Sequence, residues 1–161
     1  LFMGVDFAQR DEWDAGSSLD WHLTAYGPHS GMQQLVRALN RLHREHAPLH
    51  QLDCDDRGFE WIHCDDRDNS VIAFLRHADD GSPPLLCAFN FTPVPRDNYR
   101  LGVTNGKKWV KLLDTDAEDF GGSGYAWQDN AKAEGIPMHG RSRSIAVTLP
   151  PLGVVVMGIE R

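Results

Sequence analysis

The chain has 161 residues, of which 41% are hydrophobic and 24% charged, so wholesale disorder is excluded. This length builds one full domain, or one domain and part of another, without metal or disulfide staples. A net charge of -7 disfavours nucleic acid and anionic membranes as partners, and no apolar run approaches the roughly 20 residues that cross a bilayer.

The chain opens on Leu1 rather than Met. Leu1-Phe2-Met3 is apolar but has no charged n-region and no cleavage site, so it is not a signal peptide. It reads as a buried strand whose partners lie outside the chain. The chain then reads as a piece of a larger protein that starts inside an element. A polar, loop-like stretch from Gln9 to Ser18 follows, with Trp13 in it and Trp21 just beyond. One helix is predicted over about Gly31 to His46. Met32, Leu35, Val36, Leu39 and Leu42 recur at helical spacing, Ser30 is the candidate N-cap, and Pro48 ends the pattern.

From about Gly58 the pattern changes to strands and turns. Phe59 to Cys64 alternates with period two, Asp65 to Asn69 is a polar turn, and Ser70 to Arg76 is a second strand, a hairpin pattern. Leu85–Phe91, Tyr99–Val103, Trp109–Leu113, Ser144–Leu149 and Val154–Ile159 are further strands. Residues 116–140 read as one long loop. About seven short strands at this spacing predict an antiparallel β-sandwich.

The chemistry-bearing residues mostly take bland readings. Asp6, Asp11, Glu12 and Asp20 crowd the first zone, and glycoside chemistry needs two carboxyls about 5 to 10 Å apart. With no cleft in the chain to hold them in register, they read as solvated loop charge. His43, His46 and His50 suit a helix C-terminus for dipole reasons, which outweighs a metal site. Asp114 to Glu118 resembles the opening of a calcium loop, but the central Gly is missing and Tyr125 stands where the closing Glu belongs. No nucleophile elbow, Walker loop or dinucleotide fingerprint is present. Asn90-Phe91-Thr92 fits a glycosylation sequon inside a predicted strand and reads as chance. Cys54, Cys64 and Cys87 form no pair pattern and read as reduced, partly buried thiols of a cytoplasmic protein.

The five tryptophans are the best remaining clue. Flat rings stack on the apolar faces of sugars while their edges tolerate water. Trp21 and Trp109 lie among apolar neighbours and read as core. Trp61 lies in an alternating strand beside a polar turn, and composition leaves packing and sugar stacking equally open.

Longer runs carry a resemblance. Phe2-Met3-Gly4-Val5-Asp6-Phe7-Ala8-Gln9, Glu12-Trp13-Asp14 and Ser18-Leu19-Asp20-Trp21-His22-Leu23 resemble the end of the catalytic barrel in bacterial 1,4-α-glucan (glycogen) branching enzymes. Gly58-Phe59-Glu60-Trp61, Asn90-Phe91-Thr92-Pro93-Val94-Pro95-Arg96, His139-Gly140-Arg141 and Leu149-Pro150-Pro151-Leu152 resemble the same family. The resemblance implies that residues 1 to about 47 are the last strand, loop and helix of an α-amylase-type (β/α)₈ barrel. Residues 52–161 would be the all-β C-terminal domain. The fold class expected is thus mainly β, an antiparallel β-sandwich preceded by the end of a barrel.

It also implies that the catalytic carboxylates lie upstream, so no catalytic residue is assigned. Asp6 stands where the family usually has Glu, and Asp14 where it usually has Asn. The parent activity would be retaining transglycosylation that cuts α-1,4-glucan and forms α-1,6 branches, with no metal and no other cofactor. Trp61 is carried over as a glucan-binding residue, and Gln9 and Trp13 as residues lining the glucan cleft. Expected partners are α-glucan and the rest of the barrel, with no nucleic acid and no membrane. The rival reading is a freestanding carbohydrate-binding β-sandwich without catalysis.

Overall fold

A computed structural model describes residues 2–104, 108–126 and 128–160. Leu1 and Trp127, the latter one of the five tryptophans, lie outside the described residues. The strands are β1 (Phe59–Asp66), β2 (Val71–Arg76), β3 (Leu85–Asn90), β4 (Arg96–Val103), β5 (Lys108–Asp114), β6 (Asn130–Lys132), β7 (Arg143–Leu149) and β8 (Val154–Ile159). They form a six-stranded sheet in the order β1-β2-β3-β8-β5-β6 and a two-stranded sheet of β4 and β7. Every pairing is antiparallel.

Period-two patterning places each strand. In β2, Val71, Ala73 and Leu75 are buried, while Ile72, Phe74 and Arg76 on the other face are half-buried. The first set packs against β4 and β7 in a core that includes Leu86, Leu101, Trp109, Ile145, Leu149 and Met157. The second face of the large sheet is covered in part by helix α1 (Gly27–Glu45). There Leu42 of the helix meets Leu85, Cys87, Leu113 and Val156. The central strand β3 is therefore buried on both faces, and its run Leu85 to Ala88 is apolar without a break.

Four expectations need correction. The apolar start is not a strand. Met3 and Gly4 both take positive φ, and Val5–Phe7 is a 3₁₀ turn. The backbone bonds are satisfied locally, from Val5 N to Phe2 O at 3.0 Å and from Gln9 N to Gly4 O at 3.0 Å, where a strand would need a partner. The helix starts at Gly27 rather than Gly31, because Pro28 suits the first turn. Ser30 lies inside it and donates from Oγ to Gly27 O at 3.1 Å, so it caps nothing. Trp21 is 54% exposed rather than core, lying against Phe7 with ring centroids 5.2 Å apart. Residues 116–140 hold a 3₁₀ turn at Glu118–Phe120 and strand β6. Gly31 is buried where α1 meets that turn. A Cβ there would lie 2.5 Å from Phe120 O.

Candidate functional site: an aromatic row on the large sheet

Trp61 stands on β1, an edge strand, and is 49% exposed. It pairs in register with Phe74 of β2. Its ring meets Phe59 edge-on at 4.8 Å and Phe74 edge-on at 5.9 Å. The row continues from Phe74 to Phe89 at 5.6 Å and from Phe89 to Phe91 at 6.0 Å, with near-parallel rings in both pairs. Alternation puts Phe59 and Trp61 on one face of β1, and the sheet order sets Phe74 and Phe89 beside them. The row lies on the same sheet face as α1. Phe74 and Phe89 border the cluster under the helix, while Phe59, Trp61 and Phe91 remain exposed. The result is an apolar, ring-lined strip across β1, β2 and β3 that can receive a flat-faced ligand.

Sequence reasoning named Trp61 but missed Phe59, Phe74, Phe89 and Phe91. The i, i+2 spacing in Phe59/Trp61 and Phe89/Phe91 was a usable signal. The register that joins the two pairs through Phe74 was not readable from it.

The backbone at Trp61 is held by charged neighbours. Glu60 accepts from His77 Nε2 at 2.9 Å and from Arg141 Nη2, and Arg141 Nη2 also donates to Trp61 O at 3.2 Å. Burial by itself would push the Glu60 carboxyl up, but the bonds from Arg141 and His77 outweigh it and hold it below the usual glutamate range.

Gln9 and Trp13 sit elsewhere. The Gln9 side chain accepts from Asp20 N at 3.0 Å and donates to Asp11 O at 3.4 Å, so its amide braces its own loop. Trp13 is 51% exposed and meets Phe2 edge-on at 5.3 Å. Among the described residues, no hydrogen bond or ring contact joins either of them to Trp61.

A second, polar recess of about 500 Å³ lies between β1 and β4, lined by His63, Asp66, Asn69, Tyr99 and His139 among others. Tyr99 Oη donates to Asp66 at 2.6 Å, and Asn69 donates to the same carboxylate at 2.9 Å. Burial would raise Asp66, but these donors prevail and lower it, while burial and the facing carboxylate raise Tyr99. The Asp66 carboxylate is thus satisfied within the recess.

Other candidates resolve into structure. Asn90 is buried and its amide donates to Val94 O at 2.8 Å and Pro150 O at 2.9 Å, a strut rather than a glycan acceptor. Cys54 and Cys64 are free and exposed rather than partly buried; Cys87 is free and buried, its thiol pushed up to about 12 by burial. Among the described residues, no group of three His, Cys, Asp or Glu is placed to hold a metal ion. No described helix is long and apolar enough to cross a membrane.

The chain is 51% identical over 160 residues to the 1,4-alpha-glucan branching enzyme GlgB of Roseobacter denitrificans, covering 99% of this chain and 22% of that protein. It is 46% identical to the enzyme of the same name from Aquifex aeolicus, covering 99% of this chain and 25% of that protein. The chain therefore spans only about a fifth to a quarter of these relatives' length. Among solved structures, an alpha-amylase from H. orenii matches 80% of this chain and 20% of its own, at 16% identity and a TM-score of 0.47. Residues 61–160 match the family described as "Alpha amylase, C-terminal all-beta domain", and the chain belongs to that family.

Proposed function

We propose that this chain is the C-terminal part of a 1,4-α-glucan branching enzyme, and that its β-domain steadies the catalytic barrel and holds α-glucan on Trp61. One observation carries the glucan part: a half-exposed indole at the end of a row of aromatic rings, on a sheet face that the helix leaves open. A sugar ring presents an apolar face of axial hydrogens, and an exposed indole gains by covering it. The near-full-chain similarity to two branching enzymes supports the activity of the whole protein.

On this reading residues 1–47 belong to the barrel and residues 52–161 form the β-domain. Residues 46–58, between α1 and β1, carry only two short 3₁₀ turns, which fits a boundary there. Trp13, exposed in the first loop, and Gln9, which shapes that loop, would face the glucan cleft. The carboxylates that cut the α-1,4 bond and pass the segment to a 6-hydroxyl belong to earlier barrel strands. This chain then supports that chemistry without performing it. Its partners are α-glucan and the rest of the barrel. The free thiols fit a reducing, cytoplasmic setting.

The test is a chimera. This chain replaces the matching segment of the Roseobacter denitrificans enzyme, and branching of amylose is followed by the fall in iodine colour. The chimera branches, and this chain alone does not. A folded chimera that leaves the iodine colour unchanged overturns the reading, and so does branching by the isolated chain.

A further inference from the structure

Trp61 is the last residue of β1 before its ladder to β2 is interrupted. β1 is an edge strand, and its pairing with β2 shifts register between Trp61 and His63, and again between His63 and Asp66. Each shift interrupts the ladder, and an edge strand has no second neighbour to compensate. The ladder holds β1 in unbroken register only as far as Trp61, so a contact from outside the sheet adds restraint at that point.

The reversal at Met138–Arg141 is placed to do so. Met138 and Arg141 exchange both backbone hydrogen bonds, at 3.0 and 2.9 Å. The two residues between them, His139 and Gly140, have φ of 50° and 72°. Two left-handed residues closed by paired bonds make a tight, stiff turn. It is anchored in turn on β4, where Gly102 N donates to His139 Nδ1 at 3.3 Å and a Cβ on Gly102 would strike Met138 O at 2.3 Å.

From this turn two side chains reach β1 on either side of the first register shift. His139 stacks on His63 with centroids 4.3 Å apart. Arg141 donates to the Glu60 carboxylate and to Trp61 O. Its side chain is only 12% exposed, and its Nη1 donates to His139 O at 3.4 Å, so the guanidinium is fixed to its own turn as well. A planar guanidinium held at several acceptors restrains orientation in a way a flexible ammonium does not.

We propose that Arg141 is a positioning residue for the glucan platform, locking the β1 backbone at Glu60 and Trp61 so that the indole presents one fixed face to the sugar. The proposal rests on the glucan-holding role given to Trp61 above. Arg141 touches no ligand in it and acts only through the strand.

The full chain is labelled with 5-fluorotryptophan, and the Trp61 ¹⁹F resonance is assigned by its absence in Trp61→Phe. In Arg141→Met that resonance shifts or broadens, while the resonance of buried Trp109 stays in place. Maltoheptaose affinity falls about fivefold, within the range for coupled neighbours. Arg141→Lys keeps the charge but not the fork, and it gives the same spectral change with a smaller loss. That variant decides the matter if Arg141→Met does not fold. A merely structural role would lower Tm without moving the Trp61 signal alone. An unmoved Trp61 resonance in either folded variant overturns the proposal. So does unchanged affinity in these variants when Trp61→Ala weakens binding. If Trp61→Ala itself binds as wild type, it is the glucan reading that fails, and the ¹⁹F shift still decides whether Arg141 positions the indole.

Discussion

Replacing Trp61 with Ala separates ligand contact from fold. A tryptophan presents about 200 Å² of coverable surface. At 49% exposure, about half of that is open to a ligand. A glucosyl ring covers one side of the indole, so roughly 50 Å² leaves water on binding, worth about 1.2 kcal/mol at about 25 cal/mol per Å². Trp61→Ala is therefore expected to weaken maltoheptaose binding about eightfold. The fold loses less than for a core tryptophan, where truncation costs about 3 to 5 kcal/mol. Half-burial scales this to about 2 kcal/mol, a fall of about 4 to 8 °C in Tm for a chain of this size. Isothermal titration at a temperature where both proteins are folded gives the affinity, and a thermal melt gives the stability. An affinity within twofold of wild type, with the melt lowered as expected, would refute sugar stacking and leave Trp61 a packing residue.

Three further outcomes follow from the geometry. Phe91→Ala, at the far end of the aromatic row and 58% exposed, should weaken maltoheptaose about threefold but leave maltotriose unchanged, because only the longer chain reaches along the strip. No loss with either ligand, read by titration, would confine the site to Trp61, and an equal loss with both would contradict the reach along the strip. Gly31→Ala gains up to about 1 kcal/mol of helix propensity but drives a Cβ into the Phe120 carbonyl. Backbone overpacking, about 1 to 3 kcal/mol, wins because that carbonyl cannot swing away, so Tm falls; an equal or higher Tm contradicts this. The folded Asp66 carboxyl is held below its ordinary value by Tyr99 and Asn69. Its contribution is therefore present above the unfolded value near about 4 and is lost as pH falls through the lower, folded value. Asp66→Asn should be less stable than wild type in urea at pH 7, with the gap narrowing as pH falls below about 4 and closing only below the folded value; a constant gap counts against this.

Much of this protein was decided by its sequence. Fold class followed from period-two alternation, which depends only on neighbouring residues and a water-facing side. Val154–Ile159 emerged with its exact bounds, and β1 and β2 paired as the alternation and polar turn implied. The helix also followed from spacing, although its start did not, since Pro28 acts through backbone geometry and not through apolar periodicity. The Trp61 ring could be nominated from a strand pattern beside a polar turn.

Tertiary structure decided what lies across from what. The expected opening strand became a turn, because an apolar triplet makes a strand only where another strand pairs with it. Trp21 and Trp109 look alike by composition. One is more than half exposed and the other fully buried, because only Trp109 falls between the two sheets. The row from Phe59 to Phe91 depends on the registers of β1 with β2 and of β2 with β3. Arg141 reaches Trp61 across 80 positions of chain. Alternation is a local property, but register and long-range contact are set by the whole sheet closing at once, so a reading along the chain finds the ring and not the surface it belongs to.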